Sequence, residues 1–208
     1  VHRWESQAPN ALWQADHTLL DVWISDERGR QVRPWLTLIV DDYSRAVCGY
    51  VLSTEVPGAL QIALALRHAI RPKTNTQWPV QGLPNQLYTD RGRDFLSDHI
   101  EEICLRLHIG VLRARPRQPR GKGKIERLFR TLNTGLLQRL PHYIKQASGQ
   151  TDEPRLTLTQ LEDHLETYII HAYHQQCHQT TGQAPLARWS ENGYPTNRLI
   201  GRCWMSCW

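Results

Sequence analysis

Three acidic residues of this chain, Asp16, Asp90 and Glu126, have side chains and settings suited to holding metal ions. Cleavage and transfer of phosphodiester bonds commonly use two Mg²⁺ ions about 3.5–4 Å apart, one at the attacking oxygen and one at the leaving oxygen. Such ions take hard oxygen ligands that separate elements bring together, while water and substrate phosphates complete the coordination. The three carboxylates are therefore candidate ligands for metal-assisted phosphodiester chemistry.

Each of these carboxylates also has a simpler interpretation when it is considered alone. Asp16 lies inside an apolar strand, where a carboxylate is costly unless it faces a cleft, is paired or binds metal. Asp90 follows the segment QLYT, so it is either a turn aspartate or a ligand at the carboxyl end of a buried strand. Glu126 suits the first turn of a helix and can pair with Arg130, four residues later. Residue types alone leave these alternatives open.

Other acidic residues compete for the same roles. Asp41 and Asp42 lie in a tight turn, where aspartate is favoured because its side chain accepts backbone hydrogen bonds, so we expect both to be structural. Asp21 and Asp26 lie near the far end of a strand, and Asp94 lies near a helix start. None of these three is a predicted ligand.

The pattern of apolar residues predicts the elements that must position the carboxylates. Runs of β-branched, aromatic and aliphatic residues bounded by turns predict strands over 12–24, 34–40, 46–52, 86–89 and 109–114. Apolar residues at helical spacing predict helices over 57–70, 97–108, 123–137 and from 157 to about 173. This order predicts an α/β fold, a mixed five-stranded sheet of three antiparallel strands and two further strands, flanked by helices.

Basic residues are concentrated around Glu126. Between Arg106 and Arg130 there are nine Lys or Arg residues and one acid, while the whole chain has a formal net charge of +5. A basic segment of this kind is either a solvated surface or a surface that neutralises nucleic-acid phosphates. Gly121 and Gly123 flank Lys122, and glycine there permits close approach of the backbone to a ligand.

Composition restricts the class of protein further. The five cysteines are odd in number and form no C-x-x-C pair, which argues against a disulfide framework or a Cys-rich zinc site and predicts a reducing, cytoplasmic setting. No apolar run approaches the roughly 20 residues of a membrane span, and no signal peptide is evident. Since the chain begins at Val1 without Met, we expect it to be part of a longer protein.

Four segments in order resemble the D,D-35-E signature of the retroviral integrase and DDE transposase superfamily. They are LWQADHT around Asp16, DDYSR from Asp41, YTDRGRDF around Asp90, and PRGKGKIERLF around Glu126, with 35 residues between Asp90 and Glu126. The chain is most similar to the bacterial transposases grouped with that of bacteriophage Mu. The resemblance continues to YHQQCHQTTGQAPLARW, residues 173–189.

This resemblance implies an RNase H-like fold and a DNA transposase or integrase catalytic core. By position, Asp16 would bridge two Mg²⁺ ions, Asp90 would complete one site and Glu126 the other, and Mn²⁺ would substitute. Water would first free a 3′-hydroxyl at the transposon end, and that hydroxyl would then attack target DNA. A hydrolytic nuclease of the same fold and an inactive DNA-binding or assembly module remain alternatives.

The resemblance also implies partners and contacts. We expect double-stranded DNA as substrate, at both transposon ends and target, a homo-multimer assembled on DNA, and by family analogy an ATPase that selects the target. No membrane partner is expected. Phosphate contacts are predicted for six basic residues, namely Arg117, Arg120, Lys122, Lys124, Arg127 and Arg130.

The residue pattern and the extent of the resemblance together predict how the chain is divided. A catalytic core over 1–140 is followed by a linker over 141–155, a C-terminal helical extension of the core over 156–190 and an irregular tail over 191–208. In the extension, His171, His174 and His178 share a helical face beside Cys177, which permits a zinc site. We expect these histidines to be packing residues instead, because in the family this segment packs on the core.

Overall fold

A computed structural model of the chain describes residues 5–89, 97–113, 123–144 and 155–191. In chain order the elements are β1 (Leu12–Leu19), β2 (Ile24–Ser25), β3 (Gln31–Val32), β4 (Trp35–Asp41), β5 (Val47–Ser53), α1 (Ala59–Ile70), β6 (Gln86–Thr89), α2 (Asp98–Arg106), β7 (Gly110–Arg113), α3 (Gly123–Gly135), α4 (Leu158–Tyr168) and α5 (Pro185–Ser190). A 3₁₀ turn follows α3 at Leu137–Arg139, and a π-helical segment, Ile169–Tyr173, continues α4.

Five of the strands form one mixed sheet in the order β5-β4-β1-β6-β7. The strands β1, β4 and β5 form the predicted antiparallel meander, and β6 and β7 are parallel to β1. The predicted mixed five-stranded sheet is confirmed. Because β1 is central, a polar side chain on this strand is surrounded by sheet on both sides.

The first strand is shorter than the sequence indicates. It was expected to run over 12–24, but β1 ends at Leu19, and Val22 and Ile24 are buried outside the main sheet. Val22 forms an isolated bridge with Tyr143, and Ile24 begins the two-residue strand β2, which pairs with β3. Apolar residues buried by a hairpin and a loop have the same pattern as strand residues, so periodicity could not separate the two.

The two faces of the sheet are covered by different helices. Helix α1 packs on β5 where Gly49 permits close approach, since an added Cβ would lie 2.5 Å from the backbone nitrogen of Ala69. Gly49 pairs with Ile39, which pairs with Ala15 of β1, so Ala15 faces α1. Side chains alternate along a strand. Asp16 therefore belongs to the opposite face, which it shares with Leu36 of β4, and Leu36 lies beside Leu132 of α3.

Several helix starts agree with the sequence. Ser97 accepts a hydrogen bond from the backbone N–H of Ile100, and Thr157 forms a capping box with Gln160. Helix α3 begins at Gly123 as predicted and buries Ile125, Leu128 and Leu132. These residues lie on one side of the helix, which fixes the side that α3 turns toward the sheet.

Candidate active site

Asp16 lies in the middle of β1 and is half-buried. It pairs with Leu38 of β4, and its Oδ1 accepts a hydrogen bond of 3.0 Å from the backbone N–H of His17. This bond orients the carboxylate locally. The side chain lies on the face of the sheet that α3 covers.

Glu126 is exposed in the first turn of α3. The preceding residue, Ile125, is fully buried, and together with Leu128 it anchors the amino end of the helix in the core. Arg130 is also exposed, and no ion pair joins it to Glu126 within the described residues. The simpler interpretation of Glu126 as half of a helical ion pair is therefore not supported, and its carboxylate faces solvent.

Asp90 lies outside the described residues, which include β6 up to Thr89. The parallel register between β1 and β6 is described, and each pair differs by 74 positions, as in Leu12 with Gln86 and Gln14 with Tyr88. Within the described ranges, no three His, Cys, Asp or Glu side chains form a group that could hold a metal ion. The predicted Asp16, Asp90 and Glu126 site therefore stays a prediction.

Asp42 lies in a polar cluster that includes Gln14, two positions before Asp16 on β1. Its side chain is 1% exposed. Its Oδ1 accepts from the Gln14 amide at 2.7 Å, and its Oδ2 accepts from the backbone N–H and hydroxyl of Ser6 at 2.8 and 2.9 Å. The ammonium of Lys124 lies 2.6 Å from the same Oδ2 and also donates to the Asp42 carbonyl at 3.2 Å.

Ion pairing keeps the Asp42 carboxylate charged despite its burial. Burial alone would raise the pKa of Asp42, but the hydrogen bond and charge of Lys124, with the donors from Ser6, lower it below its ordinary value. Among the described residues, no cation pairs with Asp41 beside it. Burial raises the pKa of Asp41 to about 6, although Ser44 and Asn10 donate hydrogen bonds to its oxygens. The predicted structural role of both aspartates agrees with these contacts.

The contact between Lys124 and Asp42 was not predicted. Sequence reasoning assigned Lys124 to phosphate binding, but its side chain is 17% exposed and its ammonium binds Asp42. The two residues are 82 positions apart, and no local pattern indicates such a pair. Whether Lys124 also contacts DNA stays a prediction.

Of the other five predicted phosphate-binding residues, two lie within the described ranges. Arg127 and Arg130 are exposed on α3, and neither guanidinium pairs with a carboxylate of the described residues. Lys122, Arg120 and Arg117 lie outside the described ranges. Two exposed arginines thus lie next to Glu126 on the same helix.

The histidines of the C-terminal extension have different environments. His174 is fully buried, and its Nε2 accepts a hydrogen bond of 3.0 Å from the backbone N–H of Val47 in β5. Burial lowers the pKa of His174 to about 3. His171 is exposed, and the ring of half-buried His178 makes an edge contact with Tyr173. His174 is therefore a packing residue, as expected, whereas exposed His171 is not. The hydroxyl of Tyr173 donates a hydrogen bond to the Arg45 carbonyl.

None of the helices in the described part of the chain is long and apolar enough to cross a membrane. The exposed large apolar side chains in the same part are Val56, Leu60, Leu64 and Leu105. The candidate site is the polar surface beside Glu126.

Comparison with solved structures supports the fold. The catalytic core domain of HTLV-2 integrase, solved in complex with magnesium in a trimeric form, matches with a TM-score of 0.60 at 19% identity. The match covers 88% of this chain and 97% of that domain. The likeness confirms the predicted RNase H-like fold class.

Comparison with curated sequences identifies relatives among bacterial transposition proteins. The transposase of transposon Tn552 from Staphylococcus aureus is 44% identical over 193 residues, which cover 93% of this chain and 40% of that protein. The Tn7 transposition protein TnsB from Escherichia coli is 28% identical over 166 residues, which cover 71% of this chain and 24% of that protein. The chain thus spans less than half the length of either relative.

A family profile gives the assignment. The profile described as the TnsB C-terminal domain matches residues 14–142, which include Asp16, Asp90 and Glu126. The predicted membership of the transposase and integrase superfamily is confirmed, whereas the narrower grouping with bacteriophage Mu stays a prediction. The chain belongs to the TnsB C-terminal domain family.

Proposed function

We propose that this chain is the catalytic domain of a DNA transposase. In this proposal it hydrolyses phosphodiester bonds at transposon ends and transfers the freed 3′-hydroxyl into target DNA. Support comes from the family and from relatives named as transposition proteins. The observation that carries the proposal is the arrangement of β1, β6 and α3.

The spacing of the carboxylates agrees with the register of the sheet. Asp16 and Asp90 are 74 positions apart in the sequence, which is the offset of every described β1–β6 pair. Neighbours in a parallel register have side chains on the same face. Helix α3 contacts β1 on the Asp16 side, with Glu126 in its first turn. We infer that one site uses all three carboxylates.

The available donors fit a divalent metal ion. Asp16 and Glu126 are carboxylates on two contacting elements, one half-buried on the sheet and the other exposed, and oxygen ligands of this kind suit Mg²⁺. Asp16, Asp90 and Glu126 would hold two ions. When bound, Mg²⁺ or Mn²⁺ supplies Lewis acidity that activates the attacking oxygen and stabilises the leaving oxygen. The magnesium complex of the HTLV-2 integrase core supports this choice of metal.

The proposed reaction has two displacements at phosphorus. In the first, water forms a new P–O bond, the 3′ oxygen at the transposon end leaves, and it takes a proton to become a hydroxyl. In the second, that hydroxyl loses its proton and attacks a target phosphodiester, whose own 3′ oxygen leaves. One phosphodiester bond forms as one breaks, so the second step needs no external energy source.

The exposed arginines of α3 are proposed to hold the DNA. Arg127 and Arg130 lie beside Glu126, and guanidinium groups bind phosphate oxygens in a bidentate manner. Lys122, Arg120 and Arg117 are proposed to extend this contact along the basic segment. Contacts of this type position the duplex and do not read its sequence.

The setting of the reaction follows from the same proposal. A homo-multimer assembled on double-stranded DNA is proposed, and the trimeric form of the HTLV-2 core is consistent with multimerisation in this fold. An ATPase target selector and a site of action in the bacterial cytoplasm remain predictions from the family. The narrower relation to the bacteriophage Mu group of transposases also remains a prediction.

A strand-transfer assay tests the proposal. The longer native protein is incubated with pre-cleaved transposon-end DNA, a target plasmid and Mg²⁺ or Mn²⁺, and joined products are resolved on a gel. We expect joining by the wild type and its loss in Asp16→Asn and Glu126→Gln. Asp163→Asn is the matched control, because it removes one negative charge from an exposed position of α4.

The outcomes separate the three functions under consideration. Joined products that depend on both carboxylates support the transposase. Cleavage without joining would support a hydrolytic nuclease of the same fold. DNA binding without either reaction, by the wild type and by Asp163→Asn alike, would support an inactive assembly module.

A further inference from the structure

The Asp42 carboxylate joins three segments that are distant in sequence. Ser6 comes from the amino-terminal segment, Gln14 from β1 and Lys124 from the first turn of α3, and all three donate hydrogen bonds to Asp42. The backbone N–H of Asp42 also donates to the Leu12 carbonyl at 2.9 Å. The turn after β4 is thereby tied both to β1 and to the start of α3.

Two of these donors lie two positions before the proposed metal ligands. Gln14 and Asp16 are on the same face of β1, because side chains alternate along a strand. Lys124 and Glu126 differ by two positions on a helix, so they point to different sides. Lys124 points inward to Asp42, Ile125 is fully buried, and Glu126 is exposed. The inward anchor therefore fixes the direction in which Glu126 points.

Lys124 supplies a directional contact at the amino end of α3. The described contacts at the amino end of α3 are the burial of Ile125 and Leu128 and the bonds of Lys124 to Asp42. An apolar contact is non-directional, whereas a charge-assisted hydrogen bond to a buried carboxylate has defined geometry. Rotation of the helix about its axis would break that bond.

We propose that Asp42 and Lys124 are positioning residues that hold Glu126 in register with Asp16 for metal binding. The proposal rests on the proposed function, since it concerns the same site. Neither residue is a ligand in this arrangement: Asp42 is 1% exposed, and Lys124 is a cation. Groups that orient metal ligands from behind typically change metal affinity or activity about 10- to 100-fold when they are replaced.

A phosphate-binding role for Lys124 predicts different behaviour. If Lys124 bound DNA, Lys124→Met would weaken DNA binding, and Asp42→Asn would leave it unchanged or strengthen it by releasing the ammonium. If the pair positions Glu126, both variants act in the same direction on metal dependence. The phosphate-binding role therefore predicts that the two variants differ in DNA affinity, whereas the positioning role predicts that both weaken metal binding.

The experiment compares Lys124→Met, Asp42→Asn and the double variant in the full-length protein. One measurement is the Mg²⁺ concentration that gives half-maximal strand transfer on pre-cleaved ends. The other is Mn²⁺ binding to the protein–DNA complex followed by electron paramagnetic resonance, which does not require turnover. Asp41→Asn is the matched control, since Asp41 is buried beside Asp42 and its described side-chain hydrogen bonds come from Asn10 and Ser44.

We expect each single variant to raise the half-saturating Mg²⁺ concentration and the Mn²⁺ dissociation constant by about 10-fold or more. The double variant should raise these two constants no further than the more affected single variant does, because both changes remove the same interaction. Asp41→Asn should leave both constants within about twofold of the wild type, since it removes no contact to α3. If Asp42→Asn fails to fold, Lys124→Met decides, because methionine has a similar length and suits a mostly buried position.

Unchanged metal constants in Lys124→Met, with wild-type joining intact, would overturn the inference and leave the proposed function standing. So would additive effects in the double variant or an equal effect of Asp41→Asn. Absence of joining by the wild type would count against the proposed function. In that case, Mn²⁺ binding that is lost in Glu126→Gln and weakened in Lys124→Met would still support the positioning role. If the wild type bound no Mn²⁺ at this site, the positioning role would be overturned.

Discussion

His174 offers a test of how the C-terminal extension is held on the sheet. Because its Nε2 accepts the N–H of Val47, the neutral ring carries its proton on Nδ1. Protonation would place a second N–H against that of Val47 and leave a charge in a fully buried site next to Trp78. Folding should therefore become less favourable as the pH falls.

The size of this effect follows from the pKa of His174. Burial, with a smaller contribution from the charge of Lys73, lowers the pKa from 6.5 to about 3. A lowered pKa gives stability that is complete above the unfolded value and is lost as the pH falls toward the folded value. A pH of about 5 lies about 1.5 pH units below the unfolded pKa of 6.5, and each unit corresponds to about 1.36 kcal/mol. The contribution of His174 to the free energy of unfolding is therefore lower by about 2 kcal/mol at that pH.

The assay is urea unfolding of the wild type and His174→Gln at about pH 7.5 and about pH 5. Glutamine can accept the Val47 N–H but does not titrate. We expect the stability advantage of the wild type over the variant to shrink by about 2 kcal/mol at the lower pH. Asp41, whose pKa burial raises to about 6, acts in the opposite direction in both proteins and cancels in the difference.

His171→Gln is the control, because His171 is exposed in the π-helical segment that directly precedes His174. Its difference from the wild type should not change with pH in the way that the His174 difference does. A wild-type advantage over His174→Gln that stays constant between the two pH values would refute the reasoning. Zinc bound near stoichiometrically, detected by elemental analysis, would refute the packing role as well.

Three further predictions concern the fold and the DNA contact. Gly49→Ala should lower the free energy of unfolding by about 1–3 kcal/mol, measured by urea titration, because the added methyl group would meet the backbone of α1 at 2.5 Å. Thr157→Ala should lower it by about 1 kcal/mol through loss of the capping box of α4, and Thr157→Ser should restore it. Replacing Arg127 and Arg130 with Ala should reduce the slope of log affinity for DNA against log salt by about 2, whereas Arg28→Ala, on the β2–β3 hairpin, should not.

Local chemistry made much of this architecture predictable. The capping box at Thr157, the start of α3 at Gly123 and the strand Gln86–Thr89 all agree with the sequence prediction. Each depends on residues within three or four positions of one another, or on a period of two. Glu126 could be assigned to the first turn of its helix for the same reason.

Contacts between distant residues required the tertiary structure. Asp42 and Lys124 are 82 positions apart, and His174 and Val47 are 127 apart. In sequence, Lys124 is one of several basic residues and His174 one of several histidines, with nothing local to mark either as buried. The same limit explains the overlong first strand, since Val22 and Ile24 are buried by Tyr143 and a hairpin outside the sheet.

The sequence by itself determined which residues are available for chemistry and which elements carry them. Asp16, Asp90 and Glu126 could be selected because strand and helix periodicity is local and the spacing resembles a known family. The tertiary structure decided the β1–β6 register, the face on which α3 packs and the bonds that anchor Lys124. Those features depend on side chains brought together from across the chain, and the free energy of such contacts has no signature in a short window of sequence.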